Sequence, residues 1–88
     1  MVEKEIVVKN KLGLHARPSA LFVRQASKFK SDITLIKDGV EVNGKSIMGL
    51  MMLAAEMGSK IIIRADGEDE EKALDALVTL FENKFDED

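Results

Sequence analysis

The sequence predicts an α+β fold: a four-stranded antiparallel sheet with three helices on one face, in the order βαββαβα. Three observations point there. Four short stretches of the 88 residues are β-branched or alternate apolar with polar side chains. An Asp38-Gly39 pair stands between two of them as a hairpin signal. Two longer segments carry apolar residues at helical spacing. No repeat, linker or low-complexity stretch divides the chain, so residues 1–88 read as one domain.

Residues 2–8 (VEKEIVV) form the first strand, with Ile6 and Val8 on one face. Residues 9–15 form a loop punctuated by Asn10 and Gly13. Residues 16–29 form a helix with a buried stripe of Ser19, Phe22, Val23, Ala26 and Phe29. Arg17, Ala20, Leu21, Arg24 and Lys28 lie opposite. Leu21 is a large apolar residue on a charged side. The helix alone leaves two readings of it: a single exposed leucine, or part of a docking surface beside Ala20.

Residues 32–37 (DITLIK) form the second strand, and Val40-Glu41-Val42 returns as the third. Asn43-Gly44 ends it, and Ser46 is placed to N-cap a short helix, Ile47 to Leu53. That helix is apolar nearly all round, so it is either wholly buried or presents an apolar face. Leu50 and Leu53 suit the core. The methionine-rich composition favours a partner surface for Met48, Met51 and Ile47. Residues 60–65 (KIIIRA) form the fourth strand, Asp66-Gly67 turns the chain, and Asp69 N-caps a last helix over 70–85. Its stripe is Leu74, Leu77, Val78, Phe81 and Phe85, and the closing FDED reads as a polar tail that frays.

Composition narrows the function. There is no cysteine, which removes disulfides and thiol chemistry, and with one histidine there is no metal cluster. The N-terminal MVEKEIVVKN lacks the apolar region of a secretory signal, and no run is long enough to insert in a membrane. The expected location is cytoplasmic and the expected state a monomer. A net charge of −3 argues against nucleic-acid binding. The charge is uneven: residues 9–30 carry Lys9, Lys11, Arg17, Arg24, Lys28 and Lys30 and no acid, whereas residues 66–88 are rich in acids. The basic end suits an anionic group and an acidic partner; the acids are solvated surface. No phosphate-cradling or dinucleotide glycine loop is present, and no cofactor is expected.

The chemistry concentrates in Gly13-Leu14-His15-Ala16-Arg17-Pro18-Ser19. Gly13 lets the backbone turn tightly and Pro18 is favoured in a first helical turn. Together they deliver His15, the sole histidine, to a helix N-terminus, where free N–H groups and the dipole favour an anion. A neutral imidazole is a nucleophile near neutral pH, and Arg17 offers a fork of donors to phosphoryl oxygens. A nucleophile, an anion-binding helix end and an arginine make a phosphoryl acceptor. Ser46, at the start of a helix, is a second position where the dipole would stabilise an added phosphate.

The heptapeptide at 13–19 resembles the active-site signature of HPr, the histidine-containing phosphocarrier of the bacterial sugar phosphotransferase system. Lys45-Ser46-Ile47-Met48-Gly49-Leu50 resembles its regulatory serine segment. Length, element order and motif separation also match. The resemblance implies an open-faced β-sandwich. It implies that His15 takes a phosphoryl group from phospho-Enzyme I, charged by phosphoenolpyruvate, and passes it to enzyme II A domains. Arg17 assists, and the backbone N–H groups of Ala16 and Arg17 hold the phosphoryl group on Nδ1. Ser46 matches the serine modified by an HPr kinase/phosphorylase, which favours binding to a catabolite-control repressor. Ala20, Leu21, Arg24, Ile47, Met48 and Met51 match the partner-docking region. One departure stands out: Leu12 occupies a position that is usually small and polar in this family. The readings set against this one are a nitrogen-related or regulatory paralogue, a small binding module such as an RNA-binding domain, and a metabolite-sensing regulatory domain.

Overall fold

A computed structural model of the chain describes residues 1–86. It contains β1 (Val2–Val7), α1 (Ala16–Ala26), β2 (Asp32–Lys37), β3 (Val40–Asn43), α2 (Ile47–Met52), β4 (Lys60–Asp66) and α3 (Glu70–Glu82). A short 3-10 turn over Lys84–Asp86 follows. The strands form one antiparallel sheet in the order β1-β4-β2-β3. The α+β arrangement read from the sequence is therefore the one observed.

Register explains why one face is covered. Ile6 lies opposite Ile61, Leu35 opposite Ile63 and Ile33 opposite Ala65, and all six are buried beneath the helices. With a side-chain period of two, their neighbours Glu3, Glu5, Ile36, Ile62 and Arg64 face the other way. Arg64 ties that open face together, donating to Glu3 at 3.0 Å and lying 3.7 Å from Glu41. The β2–β3 hairpin turns on Asp38 and Gly39, both at positive φ (51° and 80°), as a two-residue turn matched to strand twist requires.

Several boundaries differ from expectation, each for a local reason. α1 ends at Ala26 rather than 29. The N–H groups of Lys28 and Phe29 bond three residues back, to Gln25 and Ala26, so the last turn tightens instead of continuing. In α3, Ala73 is fully buried while Leu74 lies at the rim, so the first member of the expected stripe differs, whereas Leu77, Val78 and Phe81 are buried as expected. The last helix stops at Glu82, and Lys84, Phe85 and Asp86 take left-handed conformations. Phe85 is nonetheless fully buried, so the FDED segment is not a polar tail throughout. Its last two residues, 87 and 88, lie outside the described residues.

Asp69 stands at the N-cap position of α3, but its side chain does not cap. The carboxylate reaches back to the α1–β2 connection. It accepts from the Ser31 hydroxyl at 2.5 Å and from the backbone N–H groups of Lys30 and Ser31 at 2.9 and 3.0 Å. Those bonds, the Ser31 hydroxyl first, hold its carboxyl down at about 2. Glu70 takes over at the helix start, accepting from the Gly67 N–H at 3.1 Å.

Candidate functional site

The site is built from the loop between β1 and α1. The Asn10 side chain is buried, and its amide donates to the Gly13 carbonyl at 2.8 Å, while the Gly13 N–H returns to the Asn10 carbonyl at 3.2 Å. The loop is thus closed on itself by a side chain and a backbone bond. Gly13 sits at φ +68°, and a Cβ there would run into the carbonyl oxygen of Ala55. The next residue, Leu14, buries its side chain and donates its N–H to that same Ala55 oxygen at 2.9 Å. Glycine is required twice over, by conformation and by space.

His15 follows as the N-cap of α1, extended at φ −82° and ψ −170°. Its carbonyl accepts the first helical bond, from Ser19 N–H at 3.0 Å. Its side chain does not cap the helix, and the ring is half-buried with Nε2 shielded from solvent. The N–H groups of Ala16 and Arg17 open the helix, ahead of any turn whose carbonyls they could use. Pro18 is the third helical residue rather than the first, and it is buried. At that position an N–H would have had no helical acceptor, so proline forfeits no helical bond. Ser19 is buried too, its hydroxyl donating to the Leu14 carbonyl at 3.3 Å.

Arg17 is exposed, and one Nη1–H donates to the backbone carbonyl of Phe85 at 3.2 Å. The Phe85 ring anchors that carbonyl. It packs edge-on against Phe81 with centroids 4.8 Å apart, and Phe81 meets Phe22 of α1 at 5.9 Å. The left-handed hook at the C-terminal end of the described chain therefore reaches the histidine end of α1. Nothing in local spacing announces that contact; only the apolar Phe85 in the α3 stripe hinted that this segment is anchored.

α2 contributes the second half. Ser46 is its N-cap, as expected: Oγ accepts from the Gly49 N–H at 3.0 Å. Leu50 and Leu53 are buried, while Ile47 is 42%, Met51 43% and Met48 71% exposed. Met52 (77%) and Met57 (58%) are equally open, and the sequence reading passed over both although they continue the same methionine-rich run. Leu21 is not an exposed leucine; it is half-buried and packs on the core, as α1 is flanked by both α2 and α3. Ala20 is half-buried and Arg24 exposed. Lys45, ahead of α2, ties to the turn after α1, its Nζ donating to the Phe29 carbonyl at 2.8 Å. His15, Ala16 and Arg17 are thus gathered at one end of α1, Ala20, Leu21 and Arg24 run along it, and α2 packs alongside with the Ala55 carbonyl at its far end.

Residues 2–83 match the family model described as the PTS HPr component phosphorylation site. The chain belongs to the HPr family. It is 58% identical over 88 residues to the phosphocarrier protein HPr of Xylella fastidiosa (strain 9a5c), covering 100% of this chain and 99% of that protein. The crystal structure of an HPr from Thermoanaerobacter tengcongensis superposes with a TM-score of 0.97 at 55% identity, covering 100% of this chain and 99% of that one. The HPr-like catabolite-repression protein Crh of Bacillus subtilis, solved as a swapped dimer, gives a TM-score of 0.77 at 49% identity over 96% and 97% of the two chains. The open-faced α+β sandwich of HPr proteins is the fold seen here. Membership also places the chain among the phosphocarriers of the phosphotransferase system. Among the described residues no helix is long and apolar enough to cross a membrane.

Proposed function

We propose that this HPr-family chain carries a phosphoryl group on His15, received from phospho-Enzyme I and passed to the A domains of sugar-specific enzymes II. The observation that carries the reading is the N-cap position of His15, beside the N–H groups of Ala16 and Arg17 at the positive end of α1. The N–P bond of the donor phosphohistidine breaks as a new N–P bond forms on His15. The proton leaving the His15 imidazole goes to solvent, and the departing donor imidazole takes one up from solvent. Shielding of Nε2 leaves Nδ1 as the nitrogen for this bond. Ala16 and Arg17 N–H groups then face the transferred oxygens, and Arg17 swings donors from the Phe85 carbonyl toward them. The chain supplies position rather than a complete active site, and chemistry runs only when a partner docks.

Docking falls to the surface shared by the two packed helices: Ala20, Leu21 and Arg24 on α1, and Ile47, Met48 and Met51 on α2. In this reading the carrier is a cytoplasmic monomer, one domain over residues 1–88. Incubation with Enzyme I and phosphoenolpyruvate is expected to add one acid-labile phosphoryl group per chain of monomeric mass. His15→Ala is expected to abolish it, and normal uptake by that variant refutes the assignment.

Ser46 is the regulatory position in the same proposal. Its Oγ already accepts from a helix N–H, and an added phosphate would share that environment while placing a dianion on the docking surface. The implied partners are an HPr kinase/phosphorylase and a catabolite-control repressor. Ser46→Asp is expected to slow phosphoryl uptake from Enzyme I by repelling an acidic partner, more at low than at high salt. An unchanged rate counts against it.

A further inference from the structure

All five methionines of the chain are exposed: Met1 by 66%, Met48 by 71%, Met51 by 43%, Met52 by 77% and Met57 by 58%. The buried cluster is made of Leu, Ile, Val, Phe and Ala instead. Methionine is ordinarily among the buried residue types, filling core gaps. Here it is confined to the surface, and four of the five lie between residues 48 and 57. The chain has no cysteine, so these thioethers are its only oxidisable sulfur.

We infer that Met48 and Met51 form a reversible oxidation site that controls docking. A hydroperoxide transfers one oxygen to the thioether sulfur: the O–O bond breaks, an S–O bond forms, the sulfur loses two electrons and the peroxide is reduced to water or alcohol. The flexible apolar side chain becomes polar and chiral. The fold has no stake in the change, because α2 is held by Leu50, Leu53 and the Ser46 cap, none of which is modified. The docking face does have a stake, since the new acceptor sits where an apolar contact is needed. A dithiol-dependent methionine sulfoxide reductase reverses it, yielding thioether, disulfide and water. The inference rests on the proposed docking role of α2 and adds a switch distinct from Ser46, set by peroxide rather than by ATP.

The test uses the full chain treated with hydrogen peroxide, with peptide mass locating each added oxygen and thermal melting checking the fold. Enzyme I then phosphorylates treated and untreated protein from phosphoenolpyruvate over a range of carrier concentrations. We expect sulfoxide at the exposed methionines, Met48 and Met51 among them, an unmoved melting curve, and a kcat/KM for the carrier lower by about tenfold, mostly through KM. Methionine sulfoxide reductase is expected to restore the rate. In M48L/M51L the readout is the variant's own ratio of treated to untreated uptake, expected near unity. A peroxide-sensitive M48L/M51L, or full uptake by wild-type protein carrying both sulfoxides, overturns the inference alone. Failure of the untreated protein to accept phosphoryl from Enzyme I overturns the docking reading and this inference with it.

Discussion

The loop ahead of His15 and the loop behind α2 meet at one atom, the carbonyl oxygen of Ala55, and they meet the same backbone demand differently. On the histidine side the left-handed residue is Gly13, at φ +68°, where no other side chain has room. On the α2 side it is Ala54, at φ +50°, which keeps a Cβ in a region that disfavours it. The surroundings follow the same division. His15 is preceded by buried Asn10, Gly13 and Leu14 and followed by buried Pro18 and Ser19. α2 is six residues long, hung on Leu50, Leu53 and one cap bond, with its methionines in water. On the proposed reading, the group that presents one nitrogen at one angle is over-determined, and the surface that fits several partners is lightly held and adaptable.

Three substitutions break or sharpen that comparison. The largest effect is expected from Phe85→Ala, which empties a fully buried ring site on Phe81 and releases the carbonyl that holds Arg17. It should cost about 3–5 kcal/mol in urea unfolding. A loss below about 1 kcal/mol would mean that the C-terminal hook does not anchor the histidine end. Gly13→Ala comes next. Positive φ and the collision with the Ala55 oxygen should together cost about 2 kcal/mol or more, and phosphoryl uptake should fall with it because the shift lands one residue from Leu14 and two from His15. Near-wild-type stability and uptake together would show the loop to be less constrained than its contacts indicate. The smallest effect has the opposite sign. Ala54→Gly should raise stability by about 0.5–1 kcal/mol, or a few degrees in Tm, with phosphoryl uptake unaltered. A destabilised variant would mean that the alanine methyl makes a contact worth more than the strain it costs.

How much of this was legible depends on how far apart the partners lie in sequence. Ser46 as an N-cap, the Asp38-Gly39 turn and the delivery of His15 by Gly13 and Pro18 are matters of at most six consecutive residues, and each was readable. Asp69 shows the limit. Its position ahead of α3 was right, yet its carboxylate serves Lys30 and Ser31, nearly forty residues away, because packing brings the α1–β2 connection to it. Leu21 shows another. Helical periodicity placed it on the charged side, but α1 is flanked by two helices, so its apolar sector is wider than one stripe. Met52 was missed because an apolar residue in an apolar helix carries no sign of whether it faces core or water, and Met57 because it lies in the turn between α2 and β4, outside any periodic segment.

By itself, then, the sequence determined the element order, the antiparallel sheet with its covered face, the histidine at a helix start and the serine cap of α2. Periodicity, turn chemistry and capping are local, and locality is what a linear reading resolves. Tertiary structure alone decided that Arg17 rests on the Phe85 carbonyl 68 residues away, that Ala55 braces the loop before His15, and that every methionine faces out. Those outcomes depend on which surfaces the core can absorb and which backbone groups remain to be paired once it has formed.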